Sequence, residues 1–252
     1  MNPGDDNHNR LQLYLSHDHP CSYLDDRIAR TLFADPMVEK SPWLYQQLID
    51  MGFRRSGDLI YRPDCQACRN CISTRVPVDE FKPRRSQQRV WKRYLDSLRI
   101  VERDGEFDAD HYALFRRYIE FRHPEGEMSD TTEEGYRQFL IAPWCDTRFI
   151  ELWLDGRLVG VAVTDLLPRG LSAVYTFFDP DYARLSPGVF SILWQIELAR
   201  QYDLPWLYLG YWIPGCRKMS YKTDYRPIQL LVENRWTPIE AVDSSFFDEN
   251  VK

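Results

Sequence analysis

No stretch of the 252-residue chain approaches eighteen consecutive apolar residues, so no membrane-crossing helix is expected. The first ten residues carry Asp5 and Asp6 and lack the apolar core of a secretory signal. Net positive charge is lacking too. Lysine and arginine number 32 against 38 acids, leaving −6, so a nucleic-acid partner must be met by a local patch rather than by overall charge. No internal repeat, low-complexity segment or Ser-His-Asp constellation stands out. The expected compartment is the cytoplasm. There the six cysteines are read as metal ligands, catalytic groups or core residues rather than disulfides.

What is present suits one large domain or two ordinary ones, with enough apolar content (44%) to build a core without staples. A local basic patch exists. Lys82, Arg84, Arg85, Arg89, Lys92 and Arg93 fall within twelve residues that hold no acid. It reads either as a solvated helix start or as a phosphate-binding surface.

Residues 11–15 (LQLYL) suit an edge strand. Ser41-Pro42-Trp43 has a capping serine followed by proline at the first helical position, predicting a helix to about Met51 that stops at Gly52. Short strands are predicted over 59–61 and 72–78, the latter broken by Pro77. Helices are predicted over 90–98 and 110–122, with an acidic surface segment at 100–110 between them. From Phe149 the texture changes. Strands over 149–154 and 158–167 flank Asp155-Gly156, a hairpin turn. A third strand covers 171–178, a largely apolar buried helix 187–202, and further strands 206–211 and 228–232.

This order predicts an α+β fold. An acetyltransferase-like C-terminal domain (99–252) would follow a smaller cysteine-containing N-terminal domain (1–98). Within the latter, Cys65, Cys68 and Cys71 form C-x-x-C-x-x-C, a spacing that lets thiolates converge on one ion through a tight turn. Cys21 is the candidate fourth ligand. Zinc and an iron–sulfur cluster would use the same four thiolates, and buried small apolar residues are the plain alternative. Cys145 and Cys216 stand alone and are read as core or site lining.

Several blocks together carry a resemblance. They are Cys21-Ser22-Tyr23-Leu24, then Tyr61-Arg62-Pro63-Asp64-Cys65 through Cys71 to Thr74-Arg75-Val76, then residues 81–89 (FKPRRSQQR). Further on stand Arg122-His123, Tyr175-Thr176-Phe177-Phe178-Asp179-Pro180 and Ser186-Pro187-Gly188. The last runs from Tyr208-Leu209-Gly210-Tyr211-Trp212-Ile213 through Cys216, Lys218, Met219, Tyr221 and Lys222 to Tyr225 and Pro227. The chain thereby resembles the arginyl-tRNA–protein transferase family over residues 11–231, most closely its short bacterial branch, the aspartate/glutamate leucyltransferases. The resemblance implies an acetyltransferase-like C-terminal fold. It also implies transfer of leucine from leucyl-tRNA to proteins beginning with Asp or Glu, marking them for N-degron proteolysis. Two positions depart from the family pattern. Leu24 stands where eukaryotic members carry a second cysteine, a place that Cys65 and Cys68 could fill. Pro187 replaces the leucine of Ser-Leu-Gly, a change a first helical position accepts. His123 is read as a turn residue.

The implied reaction is attack of an α-amine on an ester. Such an amine titrates near about 7.7–8.0, so roughly a third is neutral at cytoplasmic pH and little activation is required. Rate then comes from positioning and from oxyanion stabilisation, and no cofactor is required for the chemistry. Arg84, Arg85, Arg89, Lys218 and Lys222 are candidates to grip tRNA phosphates. Arg75, Arg84 and Arg122 are candidates to read the acidic acceptor. Tyr175, Phe177 and Tyr211 are candidates to seat the leucyl group. Tyr175 could donate to the oxyanion, and Asp179 could orient the ammonium or accept its proton. Arginyl transfer is the alternative within the family. A CoA-dependent acetyltransferase fits less well, because residues 184–189 (RLSPGV) hold one glycine and Pro187 has no amide to donate. A non-catalytic metal-binding, RNA-binding module would leave the block at 208–222 without a purpose.

Overall fold

In the computed structural model of the chain, residues 11–122, 131–243 and 246 are described. The sequence-stated role of His123 falls outside them. The elements, in order, are β1 (Leu13–Leu15), β2 (His19–Pro20), β3 (Ile28–Ala29), β4 (Thr31–Ala34), α1 (Pro42–Asp50), β5 (Arg54–Ser56), β6 (Leu59–Pro63), β7 (Ile72–Pro77) and α2 (Arg85–Leu95). There follow β8 (Leu98–Asp104), α3 (Ala109–Arg122), α4 (Glu133–Leu140), β9 (Asp146–Leu154), β10 (Arg157–Leu167), β11 (Gly170–Phe178), α5 (Pro187–Gln201), β12 (Trp206–Trp212), β13 (Gln229–Val232) and β14 (Arg235–Pro238).

Local chemistry explains several of these. The Ser41 side chain accepts the Leu44 N–H at 3.1 Å and Pro42 opens α1, as the sequence predicts. Asp155 and Gly156 both take positive φ, at 50° and 76°, the geometry that lets a two-residue turn follow the twist of β9 and β10. Segment 100–110, expected as surface, contributes β8, which pairs with β9 at the sheet edge. An edge strand needs only one apolar neighbour, so its charges stay in solvent and mask its period. Helix α2 begins at Arg85, earlier than expected, and α4 and β14 were not foreseen.

The large sheet has eight strands in the order β14-β13-β7-β12-β11-β10-β9-β8, antiparallel throughout except β11 beside β12. Its middle is covered on both faces. Along β10, Val161 and Val163 face a cluster with Phe115 and Tyr136 from α3 and α4, whereas Ala162 faces Ile192 and Ile196 of α5. Alternation across a two-sided core is why these strands read as nearly continuous apolar runs. Strands β8 to β11, helix α5 and then a parallel strand β12 make up the acetyltransferase-like order expected. A smaller sheet, β1-β4-β6-β5, packs with α1 over a third cluster containing Tyr45, Leu48, Phe53, Leu167 and Tyr208. Strand β7, from the N-terminal half, lies inside the large sheet between β12 and β13. The division expected after residue 98 is therefore not a division between sheets.

One ion pair joins the two sheets. Arg55 on β5 donates to both Asp165 oxygens on β10, at 2.7 and 2.6 Å, with neither side chain exposed. Thr147 donates to the same carboxylate at 2.8 Å, and Leu140 accepts from Arg55 at 3.1 Å. Removing one member strands a buried charge, at a cost of about 3–5 kcal/mol. Asp165→Asn is therefore expected to lower the urea unfolding midpoint sharply, and Arg55→Met combined with Asp165→Leu is expected to lose less than the two single changes summed.

Candidate active cleft

The cleft arises where two strands part. Strands β11 and β12 pair in parallel only from Gly170–Trp206 to Ser172–Tyr208. Just beyond, each carries an extra residue. Val174 lies between Ala173 and Tyr175, which face successive β10 residues, and Leu209 lies between Tyr208 and Gly210, which face successive β7 residues. Such bulges bend and twist a strand. Gly210 adopts φ +78°, and its carbonyl accepts the Thr74 hydroxyl at 2.9 Å.

Arg54, from β5, fills the opening. One terminal nitrogen donates to the Ala173 carbonyl at 2.7 Å, where β11 has lost its neighbour. Its guanidinium lies so close to Gly210 that an added Cβ would sit 3.5 Å from three of its atoms. The other terminal nitrogen is buried with no hydrogen-bond partner. Beside it, Tyr211 donates to the Gly52 carbonyl at 2.9 Å, and Lys222 donates to the Tyr211 carbonyl at 2.6 Å. Lys222 is 5% exposed. Burial, assisted by the Arg54 cation, lowers its pKa from the ordinary 10.5 to about 7, with Cys71 and Cys216 opposing.

Tyr175 packs edge-on to Tyr118 and Phe139, and burial holds its hydroxyl well above the usual phenol range. Tyr118 and Tyr221 reinforce that shift and Arg122 opposes it. It is a neutral hydrogen-bond donor. The end of α3, strand β11, the turn at 220–224 and β12 thus meet around one cleft. The charges that act most on Tyr175, Tyr221 and Lys222 come from arginines, tyrosines and cysteines, and none is a carboxylate.

Tyr175 and Arg122 lie within electrostatic reach of each other, whereas Tyr211, 8% exposed, turns its hydroxyl to the Gly52 carbonyl and lines the cysteine chamber. Arg84, Arg85 and Arg89 lie exposed on the first turns of α2, and Lys218 is exposed beyond β12. Arg84 makes a bidentate pair with Asp224, at 2.8 and 2.6 Å, which sets this basic helix against the 220–224 turn. Four other assignments change. Lys222 is buried and hydrogen-bonded to main chain, out of reach of a phosphate. Arg75 lies 3.6 Å from the Trp206 ring and 4.4 Å from Trp236, pairs with Asp50 and donates to Gln229, so its guanidinium is already engaged. Phe177 has no exposed surface and packs edge-on against Phe115 in the core. Asp179 is held by Arg117 at 2.9 and 3.0 Å and also caps the Asp181 N–H, which leaves it no free edge for an ammonium.

Cys21, Cys65, Cys68 and Cys71 line one cavity of about 200 Å³ with Tyr23, Tyr61 and Tyr211, and Cys216 acts electrostatically on Cys71. All six thiols are free. Burial, with the neighbouring thiols adding, pushes Cys71 up to about 12. Among the described residues no three His, Cys, Asp or Glu side chains are placed to hold one ion. The expected tetrad therefore shares a chamber without forming a ligand set, and no step is derived through a metal.

Sequence reasoning missed Arg54 altogether. Its only sign was an Arg54-Arg55 pair between Phe53 and Ser56, which reads as surface until the second sheet is in place.

The cleft is thus a strand splay lined by Arg54, Lys222 and neutral phenols. Comparisons with known proteins identify the family. The family model for the N terminus of arginine-tRNA-protein transferase matches residues 19–89, and that for its C terminus matches residues 110–232. A protein from Hahella chejuensis named aspartate/glutamate leucyltransferase is 50% identical over 91% of this chain and 97% of its own. Proteins of the same name from Pseudomonas aeruginosa and Pseudomonas fluorescens are 48% and 49% identical, each over 91% of this chain and 97% of its own. The chain belongs to the arginine-tRNA-protein transferase family, whose members are aminoacyltransferases. No helix among the described residues is long and apolar enough to cross a membrane.

Lys222 makes the cleft's electrostatics measurable. Between about pH 7 and 10.5 the unfolded chain keeps a proton on this lysine that the folded protein sheds. The penalty for burying the charge is full below about 7 and is relieved as pH rises to 10.5. The stability of the wild type relative to Lys222→Met, followed by chemical denaturation, is expected to increase across that window.

Proposed function

We propose that this protein passes leucine from leucyl-tRNA to the α-amine of proteins beginning with Asp or Glu, in the cytoplasm, and so marks them for N-degron proteolysis. The observation that carries the reading is the near-complete, half-identical alignment with the Hahella chejuensis protein named for that activity. The electrostatics support the same donor and acceptor. Arg54 and Arg122 act on Tyr221, Arg54 acts on a partly protonated Lys222, and no carboxylate is among the groups that act most on Tyr221 or Lys222. Such a field favours tRNA phosphates and an acidic first residue, and it disfavours the guanidinium of an arginyl donor.

In the reaction the neutral α-amine attacks the ester carbonyl. The C–N bond forms, the C–O bond to the terminal ribose breaks, and the ribose oxygen leaves with a proton that balances the one lost by the amine. Tyr175, a neutral phenol at the β11 edge of the splay, is the candidate donor to the tetrahedral oxyanion. The exposed arginines of α2, Arg85 and Arg89, are candidates for the tRNA backbone, joined by Lys218 and Arg122, while Arg84 is held by Asp224. Because the nucleophile is already partly neutral, positioning supplies most of the rate and no cofactor is needed.

The reading is tested by incubating the protein with a peptide beginning in Asp and either Leu-tRNA or Arg-tRNA, and following peptide mass. Addition of leucine, lost when Asp is replaced by Ala, is the expected result. Addition of arginine would reverse the donor assignment, and no addition from either donor would overturn the transferase reading. Tyr175→Phe is expected to lower kcat by roughly a hundredfold to a thousandfold, the range for loss of one oxyanion donor, with little change in KM.

A further inference from the structure

Of the three arginines at the junction of the two sheets, two are matched by acids. Arg55 has Asp165 and Arg75 has Asp50. At the cleft rim Arg84 has Asp224 and Arg117 has Asp179. Arg54 differs. It is 8% exposed, and among the described residues no carboxylate lies within ion-pair distance. Among the described residues its one hydrogen bond, to the Ala173 carbonyl, uses a single terminal nitrogen, and the other is buried and unpartnered; Arg55 also has one unpartnered nitrogen but has Asp165 as its counter-charge. A buried cation without a counter-charge is costly, and a fold keeps one only where something offsets the cost. No reason of packing requires a guanidinium here, since any donor could satisfy one carbonyl oxygen.

The position is equally specific. Arg54 lies in the splay between β11 and β12, one residue before the bulge that carries the chain from Ala173 to Tyr175. The guanidinium lies beside Gly210, at van der Waals distance from where a Cβ would stand, and the φ of +78° favours glycine there. Tyr221, a residue 45% exposed, stands within electrostatic reach of both Arg54 and Arg122. An acidic first residue has its side-chain carboxylate only a few bonds from its α-amine. A carboxylate held in the splay therefore sets that amine beside Tyr175, where the ester must also arrive.

We propose that Arg54, through its unpartnered terminal nitrogen, binds the side-chain carboxylate of the acceptor's first residue and so determines the choice of acidic N-termini. The assignment rests on the transferase reading above. Binding supplies the counter-charge the fold withholds, and an uncharged first residue leaves the cation buried and unpaired. Arg54 thus discriminates by penalty as well as by attraction. The Ala173 bond fixes the guanidinium plane, so that its remaining edge is presented in one orientation.

The test is steady-state transfer from Leu-tRNA to peptides that differ only in beginning with Asp, Glu or Asn, comparing wild type with Arg54→Lys and Arg54→Gln. Melting temperatures are measured first. Lysine keeps the charge and a donor for Ala173 but loses the planar fork. For Arg54→Lys the KM for the Asp peptide is expected to rise about tenfold or more, with the KM for Leu-tRNA unchanged. For Arg54→Gln the preference for Asp over Asn is expected to vanish. Wild-type discrimination retained in a folded variant would overturn the assignment. So would a rise in the KM for Leu-tRNA with that for peptide unchanged, which would make Arg54 a tRNA contact. Should Arg54→Gln not fold, Arg54→Lys decides alone. If the wild type itself transfers nothing to the Asp peptide, the transferase reading fails, a result distinct from any of these.

Discussion

The Arg55–Asp165 pair is the contact on which the cleft depends. It is fully buried, bidentate and hydrogen-bonded on both sides, the condition under which two desolvated charges hold each other in a low-dielectric interior. It also joins β5 of the small sheet to β10 of the large one. Arg54 is the next residue along the same strand. Once Arg55 is locked, β5 has one register against the large sheet, and Arg54 can reach only the place where β11 and β12 separate. Around this junction Tyr208 donates to Asp50 at 2.6 Å, Gln46 donates to Tyr208 at 3.1 Å and Arg75 lies against two tryptophans, so the surroundings are held by directional contacts as well as apolar ones.

The opening itself is a matter of backbone geometry. A parallel pair that stops after three residues frees carbonyls and amides that must find partners. Here side chains from other elements supply them: Arg54 to Ala173, Thr74 to Gly210 and Lys222 to Tyr211. Two of these donors are cations, which is why the cleft is electropositive in a protein whose overall charge is −6. The field an anionic substrate meets is set by a few desolvated groups near it, and the distant acids are screened.

Much of the scaffold was legible in the sequence. Ser41-Pro42 announced α1, Asp155-Gly156 announced the central hairpin, and the apolar stretch after Ser186 announced α5. Each is a local signal that needs no partner to act. Less was legible where a partner decides. The acids of β8 hid an edge strand, and β7, adjacent in sequence to the cysteine run, pairs with strands from the far end of the chain. Among candidate site residues, Tyr175 and Arg122 lie within electrostatic reach of each other. Phe177 lies in the core instead, because β11 is covered on its α3 face and alternate residues must fill that core. Lys222 looked like a surface cation among polar neighbours until the turn at 220–224 carried it under β12.

By itself the sequence determined the order of elements, the bulk of the core, the family and the set of chemical groups available. Caps, turns and apolar periods act over a few residues, and a motif spread along the chain can be read without knowing where its parts lie. Only the tertiary structure decided which charges are spent and which are free. Arg75, Arg84 and Asp179 each find a charged partner distant in the chain, whereas among the described residues Arg54 finds no acid and one of its terminal nitrogens has no partner. The cost and use of a charge depend on burial and on the nearest opposite charge, and both are properties of positions in space that no local pattern encodes.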